Sequence, residues 1–171
     1  MTIAHTPVAQ LNELIRDIRF AMLTTIRADG SVHCCPMATQ EADAEGHLWF
    51  FTRTRTEKVE AIRGNNNVCL AYADPKDQRF VSITGVAHLL NPPEKKQALW
   101  NPLYDAWFPR GLDDPNLVLI KVLITDVQYW QESEGKMMQL PGFAEGISGQ
   151  QYRPAAHREV EFPENQPDRS R

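Results

Sequence analysis

Cysteine is scarce in this chain: Cys34, Cys35 and Cys69 are the three thiols among 171 residues. Three cysteines do not make a disulfide framework, and all sit in apolar, strand-like runs, so a reducing cytoplasm is the expected compartment. No apolar run is long enough to span a bilayer, so no membrane segment is expected. The opening MTIAHTPVAQ has no basic segment followed by an apolar one, so no secretory leader is expected either. Charge of one sign never accumulates. Net charge is -4 and the sequence pI about 5.7, so the short charged clusters read as solvated faces and no nucleic-acid partner is expected. A glycine-rich phosphate loop is also missing, as are a Gly-x-Ser-x-Gly elbow and a Ser/His/Asp arrangement. His33, His47 and His88 show no zinc-like spacing and read as ordinary, partly exposed side chains. Asp113-Asp114 reads as a turn before Pro115 rather than a carboxylate pair for acid–base work.

What remains is an ordinary soluble composition, 42% apolar, in a length that suits one domain with a sizeable core. Thr6-Pro7 caps and starts a helix in which Leu11, Leu14, Ile15 and Ile18 recur at helical spacing. FAMLTTI and VHCCPMATQ flank the Asp-Gly turn of RADGS, so residues 20–40 read as a hairpin. HLWFFTR is a third strand, and a short helix runs from Thr56 to Arg63 with Gly64 as its stop. NVCLAYAD and RFVSITGVAHLL are two further strands. Pro92-Pro93-Glu94 starts another helix, carrying Ala98, Leu99 and Trp100. The aromatic-rich NPLYDAWFPRGLDDPN is a loop, and LVLIKVLITDVQYW is a long last strand. Short strands with tight turns and few helices point to a mostly antiparallel barrel with helices outside it. The chain divides into a domain over 1–143 and a flexible tail or arm over 144–171, polar and poorly periodic.

The stretch FFTRTRTEKVEAI, residues 50–62, concentrates hydroxyls and cations where a strand hands over to a helix. A helix start carries unpaired backbone N–H groups and partial positive charge, which suits an anion. Thr56 stands at that start, Lys58 lies in its first turn, and Thr52 ends the strand. Arg53 and Arg55 add charge in the approach, and Phe50 and Phe51 can wall a flat ligand. The plainer reading makes Thr56 a cap and Lys58 a solvated side chain. On local features alone the plainer reading weighs more.

The order LTTIRADGSVHCCPM, LWFFTRTRTEKVEAI, NNNVCLAYAD, FVSITGVAHL and VQYWQ resembles the flavin-binding split barrels related to pyridoxamine 5'-phosphate oxidase. It is most similar to their general stress protein branch, over about residues 10–132. The resemblance implies an antiparallel split barrel with peripheral helices that binds flavin mononucleotide (FMN). It implies Phe51, Thr52, Thr56 and Lys58 on the phosphate and ribityl chain, and Cys35, Pro36 and Met37 along the isoalloxazine ring. It further implies Trp130 reaching flavin at the interface of a homodimer, and a flavin-dependent oxidoreductase acting on an unknown small molecule. A flavin-binding or flavin-sensing protein without turnover is the alternative. Related barrels also hold deazaflavin or haem.

Three departures from the family pattern bear on activity. ESEGKMMQL has no counterpart of the oxidase's Arg-Leu-His-x-Arg segment, so pyridoxamine phosphate oxidase activity itself is not expected. Cys34-Cys35 stand where relatives have an arginine beside Pro-Met, so that Arg53 or Arg55 compensates or affinity falls. Phe80 takes the place of a flavin-contacting glutamine. A redox role for Cys34-Cys35 weighs little, since neighbouring strand residues face opposite ways and buried cysteine usually acts as a small hydrophobe. Cys69 reads as core. Trp107 and Phe108 read as residues packing their loop onto the barrel or a second subunit, with Trp107 and Arg110 placed to cover the flavin and meet an anionic substrate as the other reading.

Overall fold

The computed structural model describes residues 6–131 and 137–140. The expected tail at 144–171 lies outside the described residues, as do residues 132–136 of the ESEGKMMQL segment. Helix α1 spans Pro7–Ile15. Thr6 accepts at Oγ1 from the Ala9 N–H at 3.2 Å, and Pro7 opens the first turn where no N–H is needed. Leu11, Leu14 and Ile15 lie buried on one face of the helix, as their spacing predicts.

Six strands follow: β1 (Phe20–Ile26), β2 (Val32–Ala38), β3 (His47–Arg53), β4 (Asn67–Asp74), β5 (Arg79–Leu90) and β6 (Leu117–Gln131). Helix α2 (Glu57–Gly64) joins β3 to β4, and α3 (Pro93–Leu99) leaves β5. A short strand β7, Met137–Gln139, pairs with β6 and was not foreseen from its sequence. All pairings are antiparallel, in the order β2-β1-β4-β5-β6-β3. The turn between β1 and β2 closes with Arg27 N–H on the Ser31 carbonyl at 2.8 Å. Gly30 there takes φ 84°, a conformation that side chains resist.

Alternation sends Leu23, Val68, Leu70, Tyr72, Val81, Ile83 and Val122 into one core. Cys69 falls on the opposite phase, at 3.9 Å from Ser82 Oγ, because Val68 and Leu70 hold the inward positions; it is not a core residue. The β5–β6 register shifts between Thr84 and Gly85, so Thr125 has no opposite number. A Cβ on Gly85 would meet Leu123 O and come within 2.8 Å of Val122 Cγ1, so the backbones approach closely at this bend.

The curled sheet does not close. Its terminal strands β2 and β3 approach each other without forming a ladder. This is the split barrel expected from the sequence. A second, aromatic cluster lies against the far side of β3 and β6. It unites Trp49, Phe51, Leu117 and Leu119 with Tyr104 and Phe108 from the 100–112 loop. Hence β3 is buried on both faces and reads as a continuous apolar run.

Candidate functional site

The split between β2 and β3 holds the candidate site. A cleft of about 310 Å³ opens there, at the small end of the roughly 300–1,000 Å³ that small-molecule sites occupy. Pro36, Met37 and Ala38 of β2 form one wall, and Phe51, Thr52 and Arg53 of β3 the other. Thr56 and Lys58 close the end, and Phe20, Tyr104, Trp107 and Phe108 cover the side. Pro36 is tolerated because β2 is an edge strand and gives up no ladder bond on its free side.

Period-two geometry sorts the expected residues. Phe51 turns to the cleft and the aromatic cluster, so its neighbour Phe50 turns into the barrel core and does not line the cleft. Cys35 packs against the barrel core beside Met37, while Cys34 faces outward and accepts from Thr24 Oγ1 at 3.4 Å. Burial pushes the Cys35 thiol above its ordinary value, and the nearby Lys58 ammonium opposes that. Trp130 lies opposite Phe80 on the outer face of the sheet, away from this cleft. Pro36, Met37, Phe51, Thr52, Thr56 and Lys58 are therefore gathered in one place, and Cys35, Phe50 and Trp130 stand outside its lining.

Thr56 occupies the N-cap position with extended backbone, but its hydroxyl does not cap the helix. It donates instead to the Arg53 carbonyl at 3.1 Å, three residues back. The first-turn N–H groups of α2 thus have no side-chain acceptor. Lys58 Nζ lies 3.4 Å from Thr52 Oγ1 and is half-buried. No carboxylate pairs with it among the described residues. Glu57, the adjacent acid, is drawn off to the β1–β2 hairpin. It takes an ion pair from Arg27 and lies 3.3 Å from His33 Nε2. The Arg27 hydrogen bond holds the Glu57 carboxyl below its usual range, so its charge stays engaged with the hairpin.

Phe20, Ala38 and Tyr104 line the cleft without having been expected to. The hairpin register contained a signal for two of them, since Phe20 pairs with Ala38 beside Met37. Tyr104 is brought in by loop packing and stands 5.2 Å from the Phe51 ring. Phe108 packs its loop onto β3 as expected, whereas Trp107 remains 49% exposed at the mouth, edge-on to Phe20 at 6.0 Å. Arg55 faces a neighbouring pocket and not the Lys58 end; Arg53 borders both. Among the described residues the cleft lining holds no carboxylate and no histidine. Ligand atoms of Asp43, Glu45 and His47 come within 4.8 Å of one another. The Asp43 oxygens there already accept from Trp49 Nε1 at 2.7 Å, His47 N at 2.8 Å and Lys95 Nζ at 3.3 Å. The trio therefore reads as a turn lock.

A model of the family described as "Pyridoxamine 5'-phosphate oxidase like" matches residues 6–154. General stress protein 26 of Bacillus subtilis is 31% identical over 90 residues, a match covering 48% of this chain and 61% of that protein. This chain thus spans about three fifths of the curated relative's length. A Clostridium acetobutylicum protein related to general stress protein 26 superposes with TM-score 0.67 at 22% identity, covering 81% of this chain and 97% of that one. The general stress FMN/FAD binding protein of Xanthomonas citri gives 0.62 at 29% identity, covering 78% and 92%. With an open antiparallel barrel and a cation-ended cleft at its split, this chain belongs to the pyridoxamine 5'-phosphate oxidase-like family.

Proposed function

We propose that the chain is a cytoplasmic, homodimeric protein that binds FMN in the β2–β3 cleft and serves as a flavin-dependent oxidoreductase on a small molecule. The observation that carries this reading is Lys58. A half-buried ammonium with no carboxylate partner among the described residues stands beside an uncapped helix start at the end of an aromatic-walled cleft. Burying a cation without a counter-charge is costly, and a phosphate supplies one. The free edges of β2 and β3 add unpaired backbone N–H and C=O groups to the walls, suited to the polar rim of a flavin ring.

When bound, the flavin supplies the electron transfer. The chain's residues bind, orient and exclude water, and the described lining offers no carboxylate or histidine to move a proton. That same feature favours the second reading, a flavin-binding protein without turnover. Reduction of bound flavin by a nicotinamide donor, followed by productive reoxidation, separates the two. A deazaflavin would use the same phosphate end, so it belongs in the same titrations.

The outer face of the sheet supports the homodimer reading. In register across β2, β1, β4 and β5 lie Pro36, Met22, Ala71 and Ser82, and one step along lie Cys34, Thr24, Cys69 and Thr84. Small side chains make this face smooth, and Phe20, Met22 and Phe80 are exposed on it. Phe20 also lines the cleft, so a second subunit seated here would reach the flavin, and Trp130 lies on the same face.

The test is FMN titration of the wild-type protein and Lys58→Ala, read by the flavin spectrum. Loss of one charge-assisted contact should weaken binding by roughly tenfold to a hundredfold. A wild-type protein that stays colourless in excess FMN would end the cofactor reading.

A further inference from the structure

A second concavity, of about 440 Å³, opens on the other side of Arg53. Arg53, Arg55 and Arg110 line it, with Pro109, Asp114 and Asn116. Elsewhere in the described residues Arg16, Arg27, Arg63 and Arg79 each pair with a carboxylate, while Arg19 lies alone over the Phe20 ring at 5.9 Å. None of the three pocket arginines pairs with a carboxylate among those residues. Arg53 gives Nη2–H to the Trp107 carbonyl at 2.7 Å and lies 5.8 Å over the Phe108 ring, which sets its guanidinium and leaves donors free. Asp114, the one carboxylate in the wall, is buried and accepts the Asn116 N–H at 2.9 Å. Three guanidiniums against one carboxylate leave an excess of positive charge in a chain whose net charge is -4. Like charges gathered in a concavity repel, and an oxyanion relieves that while matching the fork geometry of guanidinium.

We propose that this pocket binds an anionic group, a phosphate or carboxylate, on a molecule that also reaches the flavin cleft. Arg53 borders both concavities and connects them. The proposal relies on the flavin reading for what fills the neighbouring cleft, and on the arginines alone for the anion. Two molecules can bring that group: a flavin dinucleotide through its second phosphate, or an anionic substrate lying beside FMN.

The experiment titrates inorganic pyrophosphate calorimetrically into the wild-type protein, Lys58→Ala and the double variant Arg55→Gln/Arg110→Gln. The two glutamines replace exposed side chains, and unchanged circular dichroism and melting temperature verify the fold. Lys58→Ala should keep the arginine-dependent binding, and the double variant should weaken it about tenfold or more. Persistence of arginine-dependent pyrophosphate binding on wild-type protein saturated with the flavin dinucleotide assigns the pocket to a substrate. Its loss on saturation with the dinucleotide, together with a dinucleotide preference over FMN that the double variant abolishes, assigns it to the cofactor. Equal pyrophosphate affinity in the double variant and wild type, or no binding by wild type, overturns the proposal. Arginine-dependent pyrophosphate binding by a protein that takes no flavin keeps the anion site and removes the cofactor reading instead.

Discussion

At the scale of single residues, Lys58 and Asp43 show how differently two partly buried charges are treated. Lys58 lies against the Thr52 hydroxyl and near the Cys35 thiol, pairs with no carboxylate among the described residues, and the nearest acid in sequence is tied to Arg27, so its charge is left for a ligand. Asp43 is satisfied within the chain. Burial works against its ionisation, but the Trp49 Nε1–H, the His47 N–H and Lys95 outweigh it and hold the group at about 2, against an ordinary 3.8. Its folded pKa is depressed, so its contribution to stability is complete above 3.8 and is lost as pH falls through about 2. Asp43→Ala should cost roughly 1–3 kcal/mol at neutral pH by leaving its donors unpaired. In urea unfolding, the gap to wild type should then narrow as the pH drops from 3.8 towards about 2. A gap of constant size over that range would mean that the carboxylate charge is not what stabilises the turn. Tyr72 is the opposite case. Its hydroxyl is buried without a partner among the described residues, and burial pushes the phenol upward. Tyr72→Phe should therefore be neutral or stabilising by about 1 kcal/mol, and a clear drop in melting temperature would reveal a bond to that oxygen.

At the scale of elements, helix α2 is held less by capping than by its cross-tie to the hairpin. The Glu57 pair with Arg27 and His33 orients the first turn, while Val59 and Ile62 bury its apolar side. The register shift at Thr84–Gly85 lets two long strands bend around the core. Any side chain at Gly85 must displace the Leu123 backbone, which cannot rotate away. Gly85→Ala is expected to cost about 1–3 kcal/mol in chemical denaturation. An unaffected midpoint would show that β6 shifts freely at the bulge. Much at this scale was legible in the sequence. The Asp-Gly turn, the alternation in β4 and β5, and Thr6-Pro7 all act through neighbours a few residues away. The short β7 was not legible, because three residues carry no periodicity and their strand exists only by pairing with β6.

At the scale of the whole molecule, the exposed face of β1, β4 and β5 is the surface we assign to a second subunit. Phe80→Asp places a charge in its middle and should convert the dimer to a monomer in light scattering, with weaker FMN binding in the same preparation. A wild-type protein that is already monomeric at micromolar concentration would take this face out of the reading. The cleft itself depends on the barrel staying open: a ladder between β2 and β3 would fill the space between Met37 and Thr52 with hydrogen bonds.

The sequence by itself determined the six longer strands, their turns, the inward phase of most core residues and the grouping of Thr52, Thr56 and Lys58, all within seven residues of one another. Such features rest on short-range sterics, periodicity and hydrogen bonding, which a linear chain already specifies. Only the tertiary structure decided which side chains share the cleft. It brought Pro36 and Met37 across to Phe51, laid Tyr104 and Trp107 over them from a distant loop, turned Phe50 inward and set Arg110 beside Arg53 and Arg55. Those neighbours are fixed by sheet order and loop packing, which depend on contacts between residues far apart in the chain.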